Sequence, residues 1–311
     1  VVNTDVPATT LVAGYVSKFQ GRSTKAVDGQ DVTTAGMLGV DSDSPAFTKT
    51  AYVTAGTGNA RLGLNTAKPA EYAKAGNNFT FDGAYTAAAI NKSIPNLALT
   101  AQYVKINDVA KLADVDLYYT EANYVLPMNG FKLGFDAQFR GSKTGDNLDA
   151  LDLEGHYTAA RISVSELAGF GASFAYGTTS KNDAVIAGVG NGPTGYTATL
   201  IRSISASLDK DTDSYLAQVT YDFGTVGVAG LKALAQYGLS KQNQADVINT
   251  AKTGVDKRDI DFTSKAFGVT YDVPALKGLN LAVQYETQEK DTKSVSKADT
   301  DEFRFMANYK F

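Results

Sequence analysis

DEFRFMANYKF, residues Asp301–Phe311, is the stretch whose reading decides the fold. Phe303, Phe305, Ala307, Tyr309 and Phe311 share one parity, while Glu302, Arg304, Met306, Asn308 and Lys310 share the other. An extended chain turns alternate side chains to opposite faces. One face is therefore apolar and largely aromatic, and the other is polar and charged. A soluble sheet shows such alternation when its apolar face lies on a core. Here the pattern recurs along the chain, with no second layer of structure to cover it. That combination marks an all-β, antiparallel transmembrane β-barrel, apolar towards lipid and polar towards a lumen.

Twelve segments alternate in this way. They run from Leu11–Phe19 through Phe79–Ala89, Leu97–Tyr103, Tyr118–Leu126, Phe131–Phe139, Leu151–Ala159, Phe170–Tyr176, Tyr215–Phe223, Ala233–Leu239, Phe267–Val273 and Leu279–Tyr285 to the terminal strand. In the sixth, Leu151, Leu153, Tyr157 and Ala159 form the apolar set, with Asp152, Glu154, His156 and Thr158 opposite. The links alternate as well. Those at 91–96, 127–130, 165–169, 224–230 and 274–278 are short. Those at 107–113, 141–149, 181–213, 243–260 and 291–300 are long, and the link at about 20–78 is the longest. Long loops at one rim and tight turns at the other are what an outer-membrane barrel shows. The expectation is a single barrel domain over 1–311, its long loops extracellular and its terminal Phe311 at the periplasmic rim. A soluble all-β protein is the blander alternative.

Composition bounds the reading. The chain has 311 residues, of which 43% are hydrophobic, and no run approaches the ~20 apolar residues of a membrane helix. A membrane barrel escapes that test because only alternate residues meet lipid. A net charge of −4 gives no electrostatic support for a nucleic-acid partner. The absence of cysteine excludes disulfides and thiolate metal sites. With no tryptophan, the 17 tyrosines are left to build the aromatic girdles. Val1 begins no signal peptide, so an exported protein starting here is a mature form or a fragment.

No catalytic motif stands out: GxSxG, the P-loop and HExxH are all absent. His156 is the only histidine, and parity points it inward, away from the lipid face that a phospholipase histidine would need. Gly188–Gly195 is glycine-rich but lacks a strand-to-helix frame, and reads as a flexible loop. Asp209, Asp211 and Asp213 are spaced carboxylates of the type that hold a structural Ca²⁺, but the glycine and glutamate of an EF-hand are missing and a solvated acidic loop is the favoured reading. Inward charges carry more. By parity the acids are Asp82, Glu121, Asp136, Asp152, Glu154, Asp222, Asp272, Glu286 and Glu302, and the bases are Lys132, Arg140, Lys232, Arg304 and Lys310. Nine against five predicts a mild cation preference in a water-filled interior. The pore-lining candidates are Asp82, Glu121, Lys132, Asp136, Arg140, Asp152, Glu154, His156, Glu286 and Arg304.

The start, VVNTDVPATTLVAGYVSKF at Val1–Phe19, and the closing YKF of Asp301–Phe311 resemble segments of the Campylobacter-type major outer membrane proteins and, more distantly, the Pseudomonas substrate-specific porins. The resemblance implies an 18-stranded barrel that assembles as a homotrimer. The twelve strands here would be its last twelve, and the family's constriction loop would lie outside them. The expected function is a porin of the bacterial outer membrane: a passive channel for small hydrophilic solutes and ions, embedded in lipid, without cofactor or enzymatic activity. A complete 12-stranded transporter or membrane hydrolase is the runner-up, and a secreted all-β surface adhesin comes from a third class.

Overall fold

Aromatic and β-branched residues on every second position make one face of each strand attractive to lipid, and the backbone can satisfy its own hydrogen bonds there only by pairing with a neighbouring strand. The computed structural model describes residues 1–16, 50–51, 79–80, 83–109, 113–146, 148, 152–186, 195–201, 208–249 and 254–311. The strands are β1 (Val2–Asn3), β2 (Thr9–Val16), β3 (Thr50–Ala51), β4 (Phe79–Thr80), β5 (Ala84–Asn91), β6 (Leu97–Val109), β7 (Ala113–Met128), β8 (Phe131–Thr144), β9 (His156–Leu167), β10 (Phe170–Thr179), β11 (Thr212–Asp222), β12 (Leu231–Asn249), β13 (Gly254–Asp272), β14 (Leu279–Thr292) and β15 (Ser296–Tyr309). Thirteen of them form one antiparallel sheet, in the order β1-β2-β5 and then consecutively to β15. β3 and β4 pair only with each other. All twelve expected strands are present, and β1 adds a short thirteenth at the edge. Among the described residues no pairing joins β15 to β1 or β2, so the sheet has two free edges.

Pairing across strands keeps paired residues on the same face, so the sidedness of one strand fixes its neighbours. Phe303 and Phe305 are each 64% exposed, and the row Val269–Val283–Phe305 lies on their face. Aromatic pairs collect at both ends of that face: Tyr15–Tyr85, Tyr103–Tyr118 and Tyr176–Tyr215 at one, Phe170–Tyr221 and Tyr309–Phe311 at the other. Two girdles bounding an apolar band are the outer surface of a membrane barrel.

At the short-turn rim the strands close tightly. Met128 pairs with Phe131 around Asn129–Gly130, and Gly130 takes a left-handed φ of 86° that glycine adopts without steric cost. At the other rim two expected long links are corrected. β14 and β15 stay paired up to Thr292↔Ser296, so the charged 291–300 segment is a strand hairpin with a three-residue turn. β12 and β13 pair as far as Asn249↔Gly254, leaving only 250–253 between them. About 9–11 residues cross a bilayer, whereas β12 and β13 have 19 each. Beyond the bilayer the ladder continues in water with polar side chains on both faces, and apolar alternation no longer reports it. The long loop expected at about 20–78 lies outside the described residues, apart from β3.

Candidate functional site

The link 180–211 between β10 and β11 leaves the rim. Its segment Gly195–Ile201 lies against the face of the sheet opposite the aromatic band. The Tyr196 hydroxyl donates to Glu121 Oε1 (2.6 Å) on β7, and Asn123 Nδ2 donates to the same hydroxyl at 3.1 Å. The Arg161 guanidinium on β9 sits 4.4 Å from the centre of the Tyr196 ring, and its Nε donates to Asp136 Oδ2 on β8 at 2.8 Å. Thr197 Oγ1 lies 2.9 Å from the Tyr157 hydroxyl of β9 and 3.1 Å from Ser214 Oγ of β11.

Further along, Thr199 Oγ1 donates to Glu286 Oε1 and the Ile201 amide to Glu286 Oε2, both at 2.6 Å; Ser264 Oγ donates to Oε1 at 2.7 Å. Glu286 on β14 is fully buried. Seven residues thus reach from β7 to β14, which requires the sheet to curl around them. We call this segment the strap. Tyr157, Ala159, Ala175, Val185 and Leu216 pack behind it together with Leu208. A buried carboxylate needs donors to replace its water, and Glu286 obtains them from the strap and from Ser264.

The sequence-derived candidates divide. Glu121, Asp136 and Glu286 meet at or beside the strap. Arg140 is buried with its guanidinium over the Tyr119 ring (5.5 Å). Lys132 pairs with Glu166 (2.6 Å), and Arg304 Nε donates to Glu302 (2.6 Å). Asp82 lies outside the described residues. Asp152 and Glu154 precede β9 and line no strand. Lys210 bridges to Asp152 at 3.2 Å and so ties down a foot of the 180–211 link, while Glu154 Oε1 accepts the amide of Thr144 at the end of β8 at 2.9 Å. Asp183 stands beside them, and its carboxyl is raised above the usual range by burial first and then by the charges of Asp152 and Glu154.

His156 is a correction: it is exposed and stacks on Phe139 of the outward face, with ring centres 6.2 Å apart. The phase of β9 is the reverse of the expected one. Tyr157 is fully buried beneath the strap, and Leu153, of the same parity, is buried as well, so the apolar set faces the strap and not lipid. The sequence held the signal. His156, Thr158, Ala160, Ile162 and Val164 continue one parity, and Tyr157, Ala159, Arg161, Ser163 and Ser165 the other, so extending the strand to Leu167 brings Arg161 inward.

The charge count changes with it. On the strap-bearing parity of the strands stand Glu121, Asp136, Asp222, Asp272, Glu286 and Glu302 against Lys132, Arg140, Arg161, Lys232, Arg258, Lys290, Arg304 and Lys310. Six acids face eight bases among the described residues, and the excess of acid is gone. Asp209, Asp211 and Asp213 do not converge either: Asp213 accepts from the Tyr176 hydroxyl (2.7 Å), and no three carboxylate or histidine groups among the described residues are placed to share a metal ion.

No protein-family model matches the chain, and no curated protein does. Solved structures do match its shape. OpdQ of Pseudomonas aeruginosa aligns with a TM-score of 0.68 at 18% identity, over 99% of this chain and 67% of OpdQ. OprD of the same organism gives 0.64 at 14%, over 99% and 68%. The outer membrane protein OpdK, also from P. aeruginosa, gives 0.63 at 15%, over 99% and 67%. At these identities the likeness carries the fold, and the fold is that of an outer-membrane β-barrel. The chain spans about two-thirds of the length of these neighbours. The Pseudomonas side of the sequence resemblance therefore has a structural counterpart. The Campylobacter side has none and rests on the two terminal segments alone.

Proposed function

We propose that the chain forms the wall and constriction of an outer-membrane porin, through which small hydrophilic solutes and ions diffuse passively, with no enzymatic role. The observation that carries this reading is the strap. A loop held inside a curled sheet by Glu121 at one end and Glu286 at the other narrows the interior without closing it. In this reading the outward apolar band meets the lipid of the bacterial outer membrane, and the barrel assembles as a homotrimer. The cation preference expected from sequence is not carried forward, because the re-phased wall has no excess of acid. Instead, the side chain of Arg161 is 36% exposed while that of its partner Asp136 is 8% exposed, so the charge presented at the constriction is the guanidinium. Planar-bilayer recording tests the reading. The protein should give ohmic steps, and Arg161→Gln should move the zero-current potential in a salt gradient towards cations. Absence of steps from correctly folded protein would refute the channel.

A further inference from the structure

The middle of the strap is held by a chain of hydroxyl groups. Tyr157 on β9, Thr197 on the strap and Ser214 on β11 are all fully buried. The Tyr157 and Thr197 oxygens are 2.9 Å apart, those of Thr197 and Ser214 are 3.1 Å apart, and Ser214 Oγ donates to the Gly177 carbonyl of β10 at 3.2 Å. Each hydroxyl has one proton to donate. That of Ser214 is directed to Gly177, so Thr197 donates to Ser214 and Tyr157 to Thr197. The chain therefore runs one way, from the phenol through the strap to a backbone carbonyl of the wall.

The phenol is seated by glycine. Gly177 is ordinary strand, paired with Ala159 on one side and Ser214 on the other, and its φ is not left-handed, so only space bars a side chain there. A methyl group on it would stand 2.6 Å from Cε2 and 2.7 Å from Cζ of Tyr157. Carbon atoms in contact keep about 3.5–4.0 Å. The other edge of the ring faces the strap: a β-carbon on Gly195 would lie 3.5 Å from Cε1. The ring thus lies between a notch in the wall and the strap backbone. Close-packed interiors transmit a displacement instead of absorbing it, so bulk added at Gly177 drives the ring towards Gly195 and the strap away from the wall.

We propose that Gly177 and Tyr157 are positioning residues for the constriction: the notch seats the ring, the ring starts the hydroxyl chain, and the two together set how far the strap stands from the wall. Both residues are buried, so they act on conductance without touching a solute. The proposal rests on the channel reading.

The chain has no cysteine, so Thr197→Cys with Ser214→Cys gives one disulfide whose closure by copper phenanthroline reports the strap without background. Gly177→Ala should slow that closure at least about tenfold, because a disulfide accepts only a narrow range of separations. In the protein without cysteines, Gly177→Ala should lower single-channel conductance, as the strap moves into the passage. Both effects should vanish when Gly177→Ala is made on a Tyr157→Leu background, which lacks the ring that transmits them. Should Gly177→Ala not fold, Tyr157→Phe keeps the ring and removes the first donor of the chain, and it should raise conductance by loosening the strap. Wild-type conductance in the variant that folds would overturn the assignment and leave the channel standing. So would an undiminished effect of Gly177→Ala on the Tyr157→Leu background, since the ring would then carry nothing. Slowed closure without current from any folded variant or from the wild type would instead sink the channel reading, and the constriction with it.

Discussion

A single carboxylate fixes the strap at β14. Among the described residues three hydrogen bonds reach the fully buried Glu286, and two of them come from the strap itself. Removing it strands the Thr199 hydroxyl and the Ile201 amide, and an unsatisfied buried donor costs about 1–3 kcal/mol. Glu286→Ala should therefore lower refolding stability in lipid vesicles by that order and raise single-channel conductance. Unchanged conductance would show that the strap does not limit the pore. At the foot of the same loop, Asp183 holds its proton more tightly folded than unfolded because of burial and the neighbouring Asp152 and Glu154. Such a group favours the folded loop at low pH and disfavours it as pH rises through the carboxylate range. Asp183→Asn should accordingly increase protection of the Val185 amide, which donates to the Leu208 carbonyl (3.0 Å), at neutral pH and change little in acid. An effect of equal size at both ends of that range would contradict this. None of these partnerships was legible in the sequence. Tyr196 and Thr199 sit in a loop with no period, and only the curled sheet brings them to Glu121 and Glu286.

The strands themselves were legible wherever lipid imposes alternation. Phe131–Phe139 and Asp301–Phe311 read cleanly because one face meets hydrocarbon and the other does not. The reading failed at β9, where the parity of Leu153, Tyr157 and Ala159 does alternate but turns inward onto the strap instead of outward to lipid, so that all three are buried. It also failed above the bilayer, where the β14–β15 ladder continues through Glu289↔Asp299 and Asp291↔Lys297 with no apolar partner to mark it. Lys293 bridges Asp291 of that hairpin and Asp261 of β13, and Lys297 bridges Glu289, as suits a ladder standing in water. Within the band the outward face is unforgiving. Val283 is flanked by Val269 and Phe305, and Val283→Lys should cost about 2–4 kcal/mol if that row lies at the bilayer midplane. Urea titration of refolding into vesicles measures it, and an unchanged midpoint would place Val283 away from the hydrocarbon.

At the scale of the whole molecule, alternation predicts that a sheet exists but not how it curls. Curvature appears only when the strap ties β7 to β14. The free edges are the remaining feature. β15 pairs with β14 along all fourteen of its residues, and its other side has no partner among the described residues. Hydrocarbon offers no hydrogen bonds, and each unpaired backbone group in it costs several kcal/mol, so an edge of this length cannot stand open to lipid. We therefore expect a further strand to pair with β15 in the membrane-embedded protein, whether from additional polypeptide or from another chain. In an antiparallel edge strand every second amide points away from its one neighbour. Amide exchange of the protein in vesicles should show both sets of β15 amides protected between Phe303 and Tyr309. If only the set facing β14 is protected, the edge is open and the sheet does not close through β15.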